Sequence, residues 1–375
     1  REQNTVSIAD FIGARYGRAQ SLAALVSFIA LIAAIPYLAL QFKAVAMSVD
    51  VLMDVPAETA GSRSVLADPA LYTAALLALF SILFGTRQID ATEHHHGMML
   101  AVALESLVKL VAFLAVGAYA ISVMPGGDDL AERMLASIQD FAHRDLPKGF
   151  LAQTLLAFTA IICLPRQFQV AVVECEEVGD VRRARWMFTG YLVLICLMVL
   201  PITVAGQALL GNGVPADAYV LALPLSQGNT GLALAAYVGG FSAATGMVIV
   251  ASVALATMVS NDLVMPVLWR TRWFGAQHRN PVGNTVLWVR RATIVLLALL
   301  AYTYYRSAGA TGNLAAFGLL AFAAVAQFAP GLIGGLYWRG ASREGVTAGL
   351  MVGFAFWTYT LLLPTLTRAG LMDLE

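Results

Sequence analysis

The sequence predicts an all-α, polytopic membrane helical bundle, and three observations carry that prediction. Its 375 residues are 59% hydrophobic and only 12% charged, with a mean hydropathy of +0.75, so most of the chain cannot serve as a water-facing surface. Nine stretches are long and apolar enough, or nearly so, to cross a bilayer. The basic residues are also unevenly shared between the two sets of loops that these stretches define.

Crossing about 30 Å of hydrocarbon at about 1.5 Å per residue takes roughly 20 apolar residues. The stretches that meet this are 22–49, 70–86, 97–123, 150–165 with its continuation, 186–210, 231–259, 286–305, 314–338 and 345–363. The seventh is the weakest, because Arg290 and Arg291 interrupt it, and the alternation of sides requires it. With the N-terminus inside, fifteen Arg residues fall in cytoplasmic segments and six Arg or Lys in outer loops, while Lys43 and Lys109 lie within spans. This agrees with the enrichment of basic residues in cytoplasmic loops. The outer loops are acidic, with Asp50, Asp54, Asp68, Asp128, Asp140 and Asp217 among them. An odd number of spans leaves the C-terminus outside, so more chain is expected to follow residue 375.

The outer segment 124–149 contains GGDDLAERMLASIQDFAHRDLPKG, with Leu130, Met134, Leu135, Ile138 and Phe141 at helical spacing and acids in its first turn. It reads as an extracytoplasmic amphipathic helix on the membrane surface. No signal peptide, repeat, phosphate-binding loop, catalytic triad or metalloprotease motif is present, so an enzyme is not expected. Cys163, Cys175 and Cys196 stand singly and provide neither a disulfide framework nor a thiolate metal site. Lys plus Arg equals Asp plus Glu at 23 each, so net charge singles out no class of partner; for a polytopic membrane bundle no nucleic-acid partner is expected. The expected partners are the lipid bilayer and a small-molecule solute.

Breaks inside spans are informative, because freed backbone groups survive at membrane depth only where protein or a polar cavity satisfies them. Pro36 lies deep in the first span, Pro165 ends the fourth at IICLPRQFQ, and Pro330 interrupts the eighth at AQFAPGLIGG. The fourth span is the most polar, with Gln153, Thr154, Thr159, Arg166, Gln167 and Gln169. In the sixth, Ser242 and Thr245 share a face at i, i+3 and can present hydroxyl oxygens to a hard cation. The competing reading is that small residues there simply let helices approach.

Three charges within spans and one at a span's inner edge demand an explanation. Glu105 and Lys109 are spaced i, i+4 with the acid first, the favourable orientation for a helical pair. An unpaired charge at the bilayer centre costs roughly 2.5 to 3.5 kcal/mol, so the pair is expected to face the bundle interior. It serves there either as a self-neutralising structural pair or in moving solute or protons. Lys43, two residues after Gln41, has no acidic partner within a turn. It either snorkels or meets Glu105 or a solute carboxylate. Arg166, just after Pro165, fits an anionic group at a broken helix and equally an inside-edge anchor. His94, His95 and His96 are consecutive, so their side chains diverge by about 100° on a helix. They read as a solvated, pH-sensitive loop rather than a metal site.

Several stretches together resemble the sodium:solute symporter family. The strongest is QFAPGLIGGLYWRGASREGVTAGLMVG, residues 327–353, with Pro330, Leu336, Tyr337, Trp338, Arg339, Arg343, Gly345 and Gly349 at the family's positions. SIADFIGARYG is similar to the family's entry into its third core helix, Gly85–His96 to a characteristic loop, and SNDLV at 260–264 to the end of the eighth core helix. YLALQFKAV, FGTRQIDATEHHHGM, ALESLVKLVAF, LPRQFQVAVVE and SAATGMVIVAS look most like the symporter-like membrane module of bacterial sensor histidine kinases.

The resemblance implies a LeuT-like core of two inverted five-helix repeats, with its first two helices preceding residue 1. It implies a multi-pass protein of the bacterial inner membrane and cation-coupled uptake of a small polar solute, an amino acid. The alternative is a solute-sensing receptor domain with little or no flux. A histidine kinase region after residue 375, with a response regulator as its partner, is likewise only implied. The expected solute-binding residues are Gln41, Lys43, Glu105, Lys109, Phe158 and Arg166, and the expected ion-binding residues are Ser242 and Thr245. The family's adjacent hydroxyls fall here on Gly246 and Met247, so the coupling ion is carried as Na⁺ or H⁺. No other cofactor and no metal ligand is expected.

Overall fold

A computed structural model describes residues 5–55, 63–86, 96–124, 132–136, 138–139, 149–175, 177–270, 281–308 and 314–368. These residues are overwhelmingly helical, and no strand occurs among them. His94, His95, Phe141 and most of segment 124–149 lie outside the described residues. Within that segment, 132–136 and 138–139 are helical.

The helices are α1 (Ile8–Arg15), α2 (Gln20–Leu52), α3 (Pro69–Gly85), α4 (His96–Val123), α5 (Phe150–Cys163), α6 (Pro165–Phe168), α7 (Val178–Leu210), α8 (Tyr219–Ser226), α9 (Thr230–Met258), α10 (Met265–Arg270), α11 (Pro281–Ala308), α12 (Leu314–Ala326), α13 (Phe328–Tyr337), α14 (Arg343–Trp357) and α15 (Leu363–Arg368). Among the described residues, seven helical stretches are long and apolar enough to span a membrane, and α5 with α6 and its continuation makes an eighth if that bent pair counts as one span. The remaining apolar stretch from the sequence forms α3, which has 17 residues. The protein is therefore an all-α, multi-pass membrane helical bundle.

Local chemistry explains the helix ends. Ser7 caps α1 by accepting from the Asp10 N–H at 3.0 Å, while the Asp10 carboxylate accepts from the Val6 N–H at 3.1 Å, a reciprocal cap. Asp68 caps α3 just ahead of Pro69, whose missing N–H costs nothing at the first helical position. Ser342 caps α14 through the Gly345 N–H at 3.1 Å.

The three prolines act differently. Pro36 sits inside a continuous 33-residue α2. Pro165 breaks its span: Leu164 is extended (φ −64°, ψ 128°), as the residue before proline prefers, and the halves bend by 47°. Pro330 lies in the first turn of α13, just after the interruption at Gln327.

α2 is the hub. Leu22, Val26, Ile29, Leu38, Ala39 and Phe42 are essentially fully buried, and α2 packs against α1, α3, α9, α11 and α12. α4 and α7 instead expose rows of large apolar side chains, among them Leu100, Leu104, Leu107 and Val111 on α4 and Trp186, Met187 and Phe188 on α7. Contiguous apolar surface of this kind fits contact with lipid tails rather than water.

Candidate functional site

The polar centre of the bundle forms where α4, α7, α9 and the α5–α6 break converge. α4 and α9 meet almost backbone to backbone. A Cβ built on Gly239 would lie 3.3 Å from the Lys109 Cα and 2.9 Å from the Ala112 Cβ. Two turns along α9, Gly246 is buried, and a Cβ there would collide with the Glu105 carboxylate, 1.7 Å from Oε2. The Glu105 head group therefore occupies the space that a side chain at position 246 would fill. Gly246, which the sequence marks only as a missing hydroxyl, is what lets the acid reach α9.

Lys109 lies one turn along the same face of α4, with its ammonium 5.8 Å from the centre of the Tyr191 ring on α7. That is within cation–π range. Glu105 and Lys109 form no contact ion pair, although each feels the other's charge and that of Arg166. The close i, i+4 bridge expected from sequence is thus opened. The acid turns to the Gly246 backbone and the ammonium to an aromatic face.

Arg166 arrives from the first turn of α6 because Pro165 ends α5 one residue earlier. Its Nε is buried and has no hydrogen-bond partner among the described residues, and the same holds for the Tyr191 hydroxyl. Arg166 lines a crevice of about 10 Å³ with Ala30, Ala34, Tyr37, Ala251 and Leu255, room for about one water. Tyr37 on α2 senses the charges of both Arg166 and Glu105. Sequence reasoning missed Tyr37 and Tyr191; a polar-tipped aromatic in a span is a weak signal, since the same residue also suits a membrane interface.

The other expected site residues lie elsewhere. Gln41 is buried, 7% exposed, within α2. Lys43 lies 5.1 Å from the centre of the Phe317 ring on α12, and its charged neighbour is Asp217 in the loop before α8. Phe158 is 60% exposed on α5. Ser242 and Thr245 are half-buried on α9, and the Thr245 hydroxyl donates to the Phe241 carbonyl at 2.8 Å, leaving its oxygen free to accept. Beyond the expected set, the Ser27 hydroxyl donates to Asp262 at 2.7 Å in the π-turn Val259–Val264 that follows α9.

A larger cavity, about 450 Å³, lies at the end of the bundle that the charge bias assigns to the outside. Gln153, Leu156, Tyr304, Phe317, Leu320 and Thr365 are among its lining residues, which is the size and mixed character of a small-molecule site. Phe317 joins this cavity to Lys43 through the ring under the ammonium. Comparison with protein-family models and with curated proteins finds no match to this chain.

Proposed function

We propose that the chain is the membrane part of a secondary active transporter, a cation:solute symporter for a small polar solute, with an amino acid as the favoured class. The observation that carries this reading is the convergence of Glu105, Lys109 and Arg166 on a broken span in the middle of a lipid-embedded bundle, with donors left over. Charges at such depth are costly and characteristically line substrate or ion pathways. Half-helices ending at mid-membrane are a recurrent way of presenting polar groups to a solute. An amino acid carries a carboxylate that suits Arg166 or Lys109 and an ammonium that suits Glu105. The outer cavity beside Lys43 supplies an approach route, and Gln41 is a buried polar group two residues away on α2, whereas Phe158, 60% exposed on α5, lies off this path. Ser242 and Thr245 are the oxygen donors offered to Na⁺; Glu105 is the carrier if the coupling ion is H⁺.

In the same reading the helices form a LeuT-like inverted-repeat core in a bacterial inner membrane, attached to a sensor histidine kinase that signals to a response regulator. The narrow crevice at Arg166 favours a second reading, a solute-sensing receptor with little flux.

Uptake separates the two. The complete protein in proteoliposomes should accumulate labelled amino acids down an imposed Na⁺ or H⁺ gradient. Saturable binding without gradient-driven accumulation selects the receptor, and neither binding nor uptake across the amino acids rejects the solute class.

A further inference from the structure

Helix α11 carries a buried stripe on one face: Val286, Arg290, Thr293, Ile294, Leu297 and Ala301 are all 9% exposed or less. Arg290 is its one charged member. At 5% exposure, its Nε is shut off from solvent and has no hydrogen-bond partner among the described residues. Ile294, one turn away on the same face, packs on Ala78 and Ile82 of α3 and Ala256 of α9. Arg290 therefore lies on the buried face of α11, the helix that packs on both α3 and α9, at the end that the charge bias assigns to the cytoplasm. The neighbouring Arg291 fixes the level: its Nε donates to the Thr86 hydroxyl at 3.3 Å, and Thr86, at the inner end of α3, is 1% exposed. Thr86 in turn donates to the Ile82 carbonyl at 2.7 Å.

A buried guanidinium with a spare donor is expensive unless an anion completes it. Guanidinium is a planar fork that matches phosphate oxygens two at a time. Arg291, about 100° round the helix and held to Thr86, adds a second positive charge at the edge of the site rather than a second fork within it.

Depth agrees with this assignment. Arg290 stands nine residues from the start of α11 (Pro281–Ala308, 28 residues), or about 13 Å along a helix about 42 Å long. Centred on about 30 Å of hydrocarbon, that places its Cα about 7 Å below the inner boundary, within reach of head-group phosphates by snorkelling.

We propose that Arg290, with Arg291 at its rim, forms a phosphate-binding site towards the cytoplasmic end of α11, beside α3 and α9, filled by an inner-leaflet lipid head group or by a free phosphate compound. The site is separate from the Glu105–Lys109–Arg166 cluster and independent of whether the protein transports.

The test uses the complete protein in maltoside micelles, which contain no phosphate, read by thermal unfolding. Inorganic phosphate should raise Tm by about 3 °C or more over sodium chloride at matched ionic strength if the ligand is free phosphate. A rise of that size only on adding phosphatidylglycerol to the micelles identifies a lipid head group instead. Either shift should vanish in R290Q. If R290Q does not fold, R290K, which keeps the charge but not the fork, should lose at least half of the shift. No shift with either probe overturns the proposal, as when a carboxylate of the chain already fills the site, and so does an undiminished shift in R290Q or R290K.

Discussion

Two polar clusters in this bundle are built on opposite plans. At the end assigned to the outside, Asp68 is 3% exposed and its carboxylate is fully used. It accepts from the Ala70 N–H at 2.9 Å, the Tyr302 hydroxyl at 3.1 Å and Arg306 Nη1 at 3.4 Å. Arg306 Nη2 donates to the Arg63 carbonyl at 3.1 Å, and Arg63 pairs with Asp50 at 2.5 Å. One knot ties the end of α2, the cap of α3 and the end of α11. In the middle of the bundle, Glu105, Lys109 and Arg166 share a field without closing a contact pair with one another, and two donors have no partner among the described residues. A satisfied polar network rigidifies its surroundings, whereas a partly satisfied one holds interaction energy that a ligand can claim. The outer knot reads as a clamp and the central cluster as a site.

The largest expected effect breaks the knot. Asp68→Ala removes the α3 cap and strands Arg306 and Tyr302, so unfolding in detergent should show a loss of about 3 kcal/mol; a loss under about 1 kcal/mol would remove the clamp from the comparison. Next, Glu105→Gln keeps the shape that fits against Gly246 but removes the charge between two cations. Uptake or solute binding should fall at least about tenfold, equivalent to about 1.4 kcal/mol, while Tm stays close to that of the native protein. An equal loss of stability in Glu105→Gln and Asp68→Ala would erase the distinction. Gly246→Ala sharpens it from the other side: the new methyl must displace the Glu105 carboxylate, so function should drop as in Glu105→Gln. Tyr302→Phe deletes one hydrogen bond of the knot and should cost about 1 kcal/mol. Smallest is Arg63→Ala, at about 0.5 kcal/mol, because that pair lies towards the solvent edge.

The all-α membrane class, the positions of the apolar helices and the break at Pro165 are legible in the residues alone. These follow from composition and local backbone chemistry: twenty apolar residues partition into lipid as a helix whatever their neighbours do, and proline extends the residue before it in any fold. Which polar groups meet is set by the packing of the folded bundle. From sequence, Glu105 and Lys109 are each other's obvious partners and Lys43 is a third. In the fold, Glu105 uses the gap at Gly246, Lys109 faces Tyr191, and Lys43 turns to Phe317 and the field of Asp217. Phe158, in a span marked by its polar residues, faces outward, and Arg290, which interrupts its apolar stretch in the sequence, is buried on α11. These outcomes depend on how each helix is rotated and how closely it approaches helices far away in the chain. That rotation is set by packing summed over many small contacts, and a side chain 100° further round a helix meets a different partner without any change in local hydropathy.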